Sequence, residues 1–172
     1  MIKQPLWIRA LPSSFVVNVA TLGLLGRLPA PGTWGSVAGL AFYTVVFYPM
    51  KPFGVALLTT FFLYVALIFC GEAEKRLQQI DPPTVILDEF AAIPICFVGL
   101  QPAMDTRWAW AVFVAGFGLF RLFDIWKPFG IRGLQRYRGG LGVLLDDVAA
   151  AVATCIVLNL GVWWIVPLLI ES

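Results

Sequence analysis

Two uninterrupted apolar stretches, Phe53–Gly71 and Val148–Ile170, constrain this chain more than any other feature. Each is close to the roughly 20 residues needed to cross the hydrocarbon core of a bilayer as a helix. Three shorter apolar segments lie between or before them, at about Val37–Met50, Phe90–Leu100 and Trp108–Phe123. Ser13–Leu25 is apolar but too short to span, and reads as an interfacial or re-entrant helix. In hydrocarbon every backbone polar group must be satisfied internally, so segments of this kind fold as helices. The expected fold is therefore all-α: a polytopic membrane bundle of about four to five membrane segments plus short interfacial helices.

Composition supports the same class. The chain is 60% hydrophobic and only 13% charged, whereas soluble domains carry about 25% charged residues. Its 172 residues suffice for one domain, taken as 1–172. The seven tryptophans suit anchoring at the two membrane interfaces. A net charge of +2 without long basic runs argues against nucleic acid as a partner. No obligate protein partner is evident either. The N-terminal residues lack a signal-peptide cleavage pattern and are expected to be retained.

Charge placement orients the chain. Five crossings with the N-terminus inside put Lys3, Arg9, Arg27, Lys75, Arg76, Arg121, Lys127, Arg132, Arg136 and Arg138 on one face, leaving Lys51 and Arg107 on the other. That bias marks the crowded face as cytoplasmic. The acidic residues follow: Glu72, Glu74, Asp81, Asp88, Glu89, Asp124, Asp146 and Asp147 fall inside, Asp105 and Glu171 outside.

Four clusters on the crowded face carry candidate chemistry. Asp81 to Glu89 reads DPPTVILDE and ends in two adjacent carboxylates at a helix start. One acidic residue there would satisfy the helix dipole, but two repel each other unless a cation lies between them. Arg121, Asp124 and Lys127 are spaced i, i+3, i+6, which predicts one helical face ended by Pro128. A salt-bridged helix end would account for that trio, though ionisable groups at a membrane boundary are functional by default. A glycine-containing run, Arg138 to Asp147, holds Gly139, Gly140 and Gly142 before a second acidic pair, Asp146 and Asp147. Hard oxygen donors suit Mg²⁺, which bridges carboxylates to phosphate. The absence of histidine excludes every histidine-based mechanism, and with three scattered cysteines the composition disfavours a zinc site. Finally, Arg27 with Thr33 and Ser36 in PGTWGS could form an anion site at a helix start, or merely a capped helix after a proline turn. Cys70 to Arg76 has the spacing of a cysteine-phosphatase loop, but Glu72 and Glu74 within it would repel a dianion.

These motifs, PGTWGS (Pro31–Ser36), DPPTVILDEF (Asp81–Phe90), FRLFDIWKPFGIR (Phe120–Arg132) and GGLGVLLDD (Gly139–Asp147), resemble the bacterial phosphatidylglycerophosphatase A family across nearly the whole chain. The resemblance implies a Mg²⁺-dependent lipid phosphatase of the bacterial inner membrane. It would release the terminal phosphate of phosphatidylglycerol phosphate, its phospholipid partner in the bilayer. The site residues expected on residue chemistry and resemblance together are Asp88, Glu89, Asp124 and Lys127 for catalysis. Asp88, Glu89, Asp124, Asp146 and Asp147 are expected to hold the metal. Arg27, Thr33, Ser36, Arg121, Gly139 and Gly140 are expected to bind substrate. A small transporter using carboxylates is the alternative, but it would place charge near mid-span rather than at segment ends. A phosphatidyltransferase would need a D-G-x2-A-R pattern that is not found in the chain.

Overall fold

The computed structural model describes residues 4–127 and 140–170, with side chains as far as Trp164. The described residues are helical throughout their regular structure, with no strand. Two short helices, α1 (Leu6–Arg9) and α2 (Ser13–Ala20), precede α3 (Pro31–Phe42), which runs on through a π-helical turn at Tyr43–Phe47. Then follow α4 (Pro52–Leu77), α5 (Leu87–Cys96), the one-turn α6 (Gln101–Met104), α7 (Ala109–Trp126) and α8 (Gly140–Ile170).

Among the described residues, three helices are long and apolar enough to cross a membrane: α4, α7 and Gly140–Trp164 of α8. At about 1.5 Å per residue, even the 18 residues of α7 reach about 27 Å, near the thickness of the hydrocarbon core. The other two expected segments are shorter helices. α3 begins at Pro31, earlier than apolarity alone suggests, because proline is suited to the first helical position. The Gly/Pro-rich stretch before it stays non-helical from Leu28 to Ala30, where Ala30 adopts φ 53°. α5 has only 10 residues, about 15 Å, and is not a span by itself. Pro94 weakens its last turn, and the chain reverses past Gly99 at φ 81°.

α5 is the axis of the bundle. α3, α4 and α8 pack on it, and α7 closes against α8 and α3. One buried cluster joins α2, α4 and the start of α5; the other joins the π-helical turn, the end of α5, α7 and α8. Expected interfacial helix α2 lies beside α4, held by Arg76, which donates to the carbonyls of Ile8 and Leu11. Cys70 of the rejected phosphatase-like loop is fully buried in this packing.

All seven tryptophans are exposed, each by at least 42%. Trp7, Trp34 and Trp126 ring the end where α3, α5 and α8 begin and α4 and α7 finish; Trp108, Trp110, Trp163 and Trp164 ring the opposite end. Two interfacial belts on a bundle with three apolar spans define a membrane protein. The described ionisable residues sort between these ends as their spacing predicts. Lys51, Asp105 and Arg107 lie at the second end, where Tyr48 donates to Asp105 at 2.8 Å. The remainder gather at the first.

Candidate active site

The first turn of α5 delivers Asp88 and Glu89, and its position is set from three sides. Gln78 ends α4 in the left-handed region, and the chain returns with the Asp81 N–H donating to Glu74 Oε1 at 2.9 Å. After Pro82 and Pro83, the Ile86 N–H donates to the Ala20 carbonyl at 3.0 Å, tying α5 to the end of α2. Gly35 lets α3 lie directly against this junction; a Cβ there would come 2.9 Å from both Cβ and the carbonyl oxygen of Ile86.

Asp88 is 2% exposed, and its Oδ1 accepts the Glu89 N–H at 3.1 Å. Asp147, on the second turn of α8, points at the same place. Oxygens of Asp88, Glu89 and Asp147 lie within 4.8 Å of one another, the one group of this kind among the described residues. Burial pushes the Asp88 carboxyl up, to about 7, and burial together with the Asp88 carboxylate pushes Glu89 well above the usual range. Such carboxylates carry their negative charge at low cost only beside a cation.

Two ion pairs flank the trio. Arg121 Nη1 donates to Asp124 Oδ2 at 2.6 Å and lies 3.8 Å from Glu89 Oε1. Lys127 pairs with Asp146. The expected continuous face of Arg121, Asp124 and Lys127 is broken. α7 ends at Trp126, and Lys127 adopts φ 47°, a left-handed turn that sends its ammonium to α8. Burial alone would lower the Lys127 pKa, but the Asp146 hydrogen bond and neighbouring carboxylates more than offset it, so the ammonium stays charged.

The remaining expected residues have varied positions. Ser36 is fully buried and donates to the Gly32 carbonyl at 2.8 Å, within reach of Arg121 at 3.5 Å. Thr33 is half-buried in the first turn of α3, and Arg27 is exposed on the 3₁₀ turn Leu25–Arg27. Gly140 packs against α4: a Cβ there would strike the Leu67 carbonyl and lie 2.6 Å from the Gly71 nitrogen. Gly139, Pro128, Arg132, Arg136 and Arg138 lie outside the described residues. Sequence reasoning did not assign Glu74, whose carboxylate orders the turn before Asp88; its place in the last turn of α4, ahead of the Pro82–Pro83 pair, was the available signal.

Fold and site together define a multi-pass membrane protein with a carboxylate centre sunk into one end of its bundle. The sequence matches the family described as Phosphatidylglycerophosphatase A over residues 18–162. A Bacteroides thetaiotaomicron protein provisionally named a phosphatidylinositol-3-phosphatase is 37% identical over 88% of this chain and 96% of its own. The phosphatidylglycerophosphatase A of Haemophilus influenzae is 34% identical over 79% of this chain and 81% of its own. That of Escherichia coli is 32% identical over 71% and 68%. No solved structure gives a significant match. The chain belongs to the phosphatidylglycerophosphatase A family, and is thus a lipid phosphatase, a phosphoric monoester hydrolase.

Proposed function

We propose that this chain hydrolyses the terminal phosphate monoester of phosphatidylglycerol phosphate to phosphatidylglycerol and inorganic phosphate, with Mg²⁺, at the cytoplasmic face of a bacterial inner membrane. The observation that carries the reading is the convergence of the buried Asp88, Glu89 and Asp147 carboxylates. Among the described residues, five carboxylates, of Asp88, Glu89, Asp124, Asp146 and Asp147, lie around two cations, Arg121 and Lys127, a formal excess of three negative charges within that set. A cation held by these carboxylates would offset their repulsion of a phosphate dianion.

The donor set fits a hard divalent cation. Three carboxylates converge, there is no histidine, and Glu89 Oε2 is buried without a hydrogen-bond partner among the described residues. Asp88, Glu89 and Asp147 would hold the metal, with Asp146 beside them. Bound there, it supplies Lewis-acid neutralisation of charge on the reacting phosphoryl group. Lys127, kept charged by Asp146, would meet a phosphate oxygen, and Arg27 on the 3₁₀ turn and Thr33 on α3 are the further substrate contacts of this reading. Exposed apolar residues on α3 and α7, Trp34, Val37, Leu122 and Ile125, suit the acyl chains of a substrate that stays in the bilayer.

Phosphate release from phosphatidylglycerol phosphate in detergent, with and without Mg²⁺, tests this. No release at any Mg²⁺ concentration would overturn it. The Bacteroides relative's name favours a second headgroup, so phosphatidylinositol 3-phosphate belongs in the same assay; faster release from it would overturn the substrate but retain the chemistry. Sidedness is tested by Asp81→Cys in a chain without other cysteines: labelling from outside intact cells would exclude the cytoplasmic placement.

A further inference from the structure

Arg121 does not stand open to an incoming anion. Its side chain is 17% exposed, and a single nitrogen, Nη1, approaches three partners on three helices. These are Asp124 Oδ2 on its own helix at 2.6 Å, Ser36 Oγ on α3 at 3.5 Å and Glu89 Oε1 on α5 at 3.8 Å. Glu89 and Asp124 are themselves only 14% and 12% exposed at their side chains.

The gap for this arrangement is built into α3. Gly32 has no side chain, and a Cβ there would collide with Glu89 Oε1 and lie 3.2 and 3.3 Å from the two terminal guanidinium nitrogens. The space beside the α3 start is therefore filled by Glu89 and Arg121 together. Among the described residues, the ion pair of Glu89 is made through Oε1. Oε1 faces the guanidinium, while Oε2 is buried with no hydrogen-bond partner among the described residues.

We propose that Arg121 is a positioning residue rather than a phosphate ligand. Clamped by Asp124, it grips Oε1 of Glu89 so that Oε2 is presented to the metal site with Asp88 and Asp147. Asp124 then belongs to the clamp and not to the metal's donors. The inference rests on the metal reading given under Proposed function. A partner that fixes a ligand's orientation is worth about 10- to 100-fold in metal affinity. A phosphate ligand contributes nothing until substrate arrives.

The two roles separate in a binding experiment without substrate. Mn²⁺ binding to the full chain in detergent is followed by electron paramagnetic resonance for the wild type, Arg121→Met, Arg121→Lys and Asp124→Asn. Arg121→Met should raise the Mn²⁺ dissociation constant about 10-fold or more. Arg121→Lys should restore part of that loss, because it keeps the charge but not the planar fork. Asp124→Asn should shift the constant in the same direction as Arg121→Met. Unchanged Mn²⁺ affinity in all three, with the defect confined to kcat/KM, would overturn the proposal and return Arg121 to the phosphate. Should Arg121→Met fail to fold, Arg121→Lys and Asp124→Asn carry the same comparison. Absence of Mn²⁺ binding by the wild type itself would overturn the underlying metal reading, a failure visible before any substitution is made.

Discussion

The two ends of the bundle are built from opposite materials. Around the site, five carboxylates and two cations among the described residues are drawn together at helix termini, with buried like charges held a few ångströms apart. At the far end, aromatic rings interlock: Tyr43 packs on Phe97 with centroids 4.8 Å apart, and Phe97 meets Phe113 edge-on at 5.5 Å. The polar contacts there are few and ordinary, such as Tyr48 to Asp105 and Asn159 to the Val98 carbonyl. The contrast assigns stability to one end and chemistry to the other. Buried charges of one sign weaken a fold, whereas dispersion between rings strengthens it.

Substitutions at the two ends should therefore move different observables. The largest effect is expected for Asp88→Asn. Phosphate release should fall on the order of 10²-fold or more, the scale of losing a preorganised charge contact. In a chelator the melting temperature should not fall, because one member of a repelling trio has gone; a marked drop would mean the trio holds the fold. Phe97→Ala comes next, with a loss of about 3 kcal/mol of stability from an almost fully buried ring. Its specific activity, assayed well below the melting point, should stay near wild type; a parallel loss of activity would erase the division.

Gly35→Ala probes the border between the regions. The added methyl has no room against Ile86, so α3 and α5 must part, costing about 1–3 kcal/mol and displacing Glu89. Stability and activity should fall together, and loss of only one would show that the helix contact and the site are independent. Tyr48→Phe should have the smallest effect. It removes the hydroxyl shared between Asp105 and the Met104 carbonyl, worth about 1 kcal/mol, and should leave phosphate release unchanged. A change in activity would reveal coupling along the bundle.

Much of this division is legible in the chain itself. Carboxylates at segment ends, tryptophans at both interfaces and the bias of lysine and arginine are local in sequence, and the structure gathers them as hydropathy predicts. Arg121 and Asp124, three residues apart, meet as helical spacing requires. What sequence spacing could not supply were the pairings across helices. Lys127 reaches Asp146, 19 residues away, because a left-handed backbone turn at its own position redirects it. Ser36 and Gly32 look like parts of an anion-binding helix start. Whether they meet a phosphate or a guanidinium depends on how closely α3 approaches α5, which only the packed bundle decides. The early start of α3 was likewise hidden, since its first turn is glycine-rich and weakly apolar.

The placement of the tryptophans also determines what light can report about this molecule. With every indole at the perimeter and none in the buried clusters, intrinsic emission samples lipid or detergent rather than the interior. Brominated acyl chains should quench it while the bundle is intact. A thermal transition followed by emission would then track the surrounding amphiphile and pass over the loss of the carboxylate centre. Bringing that centre into view would take an indole placed beside it.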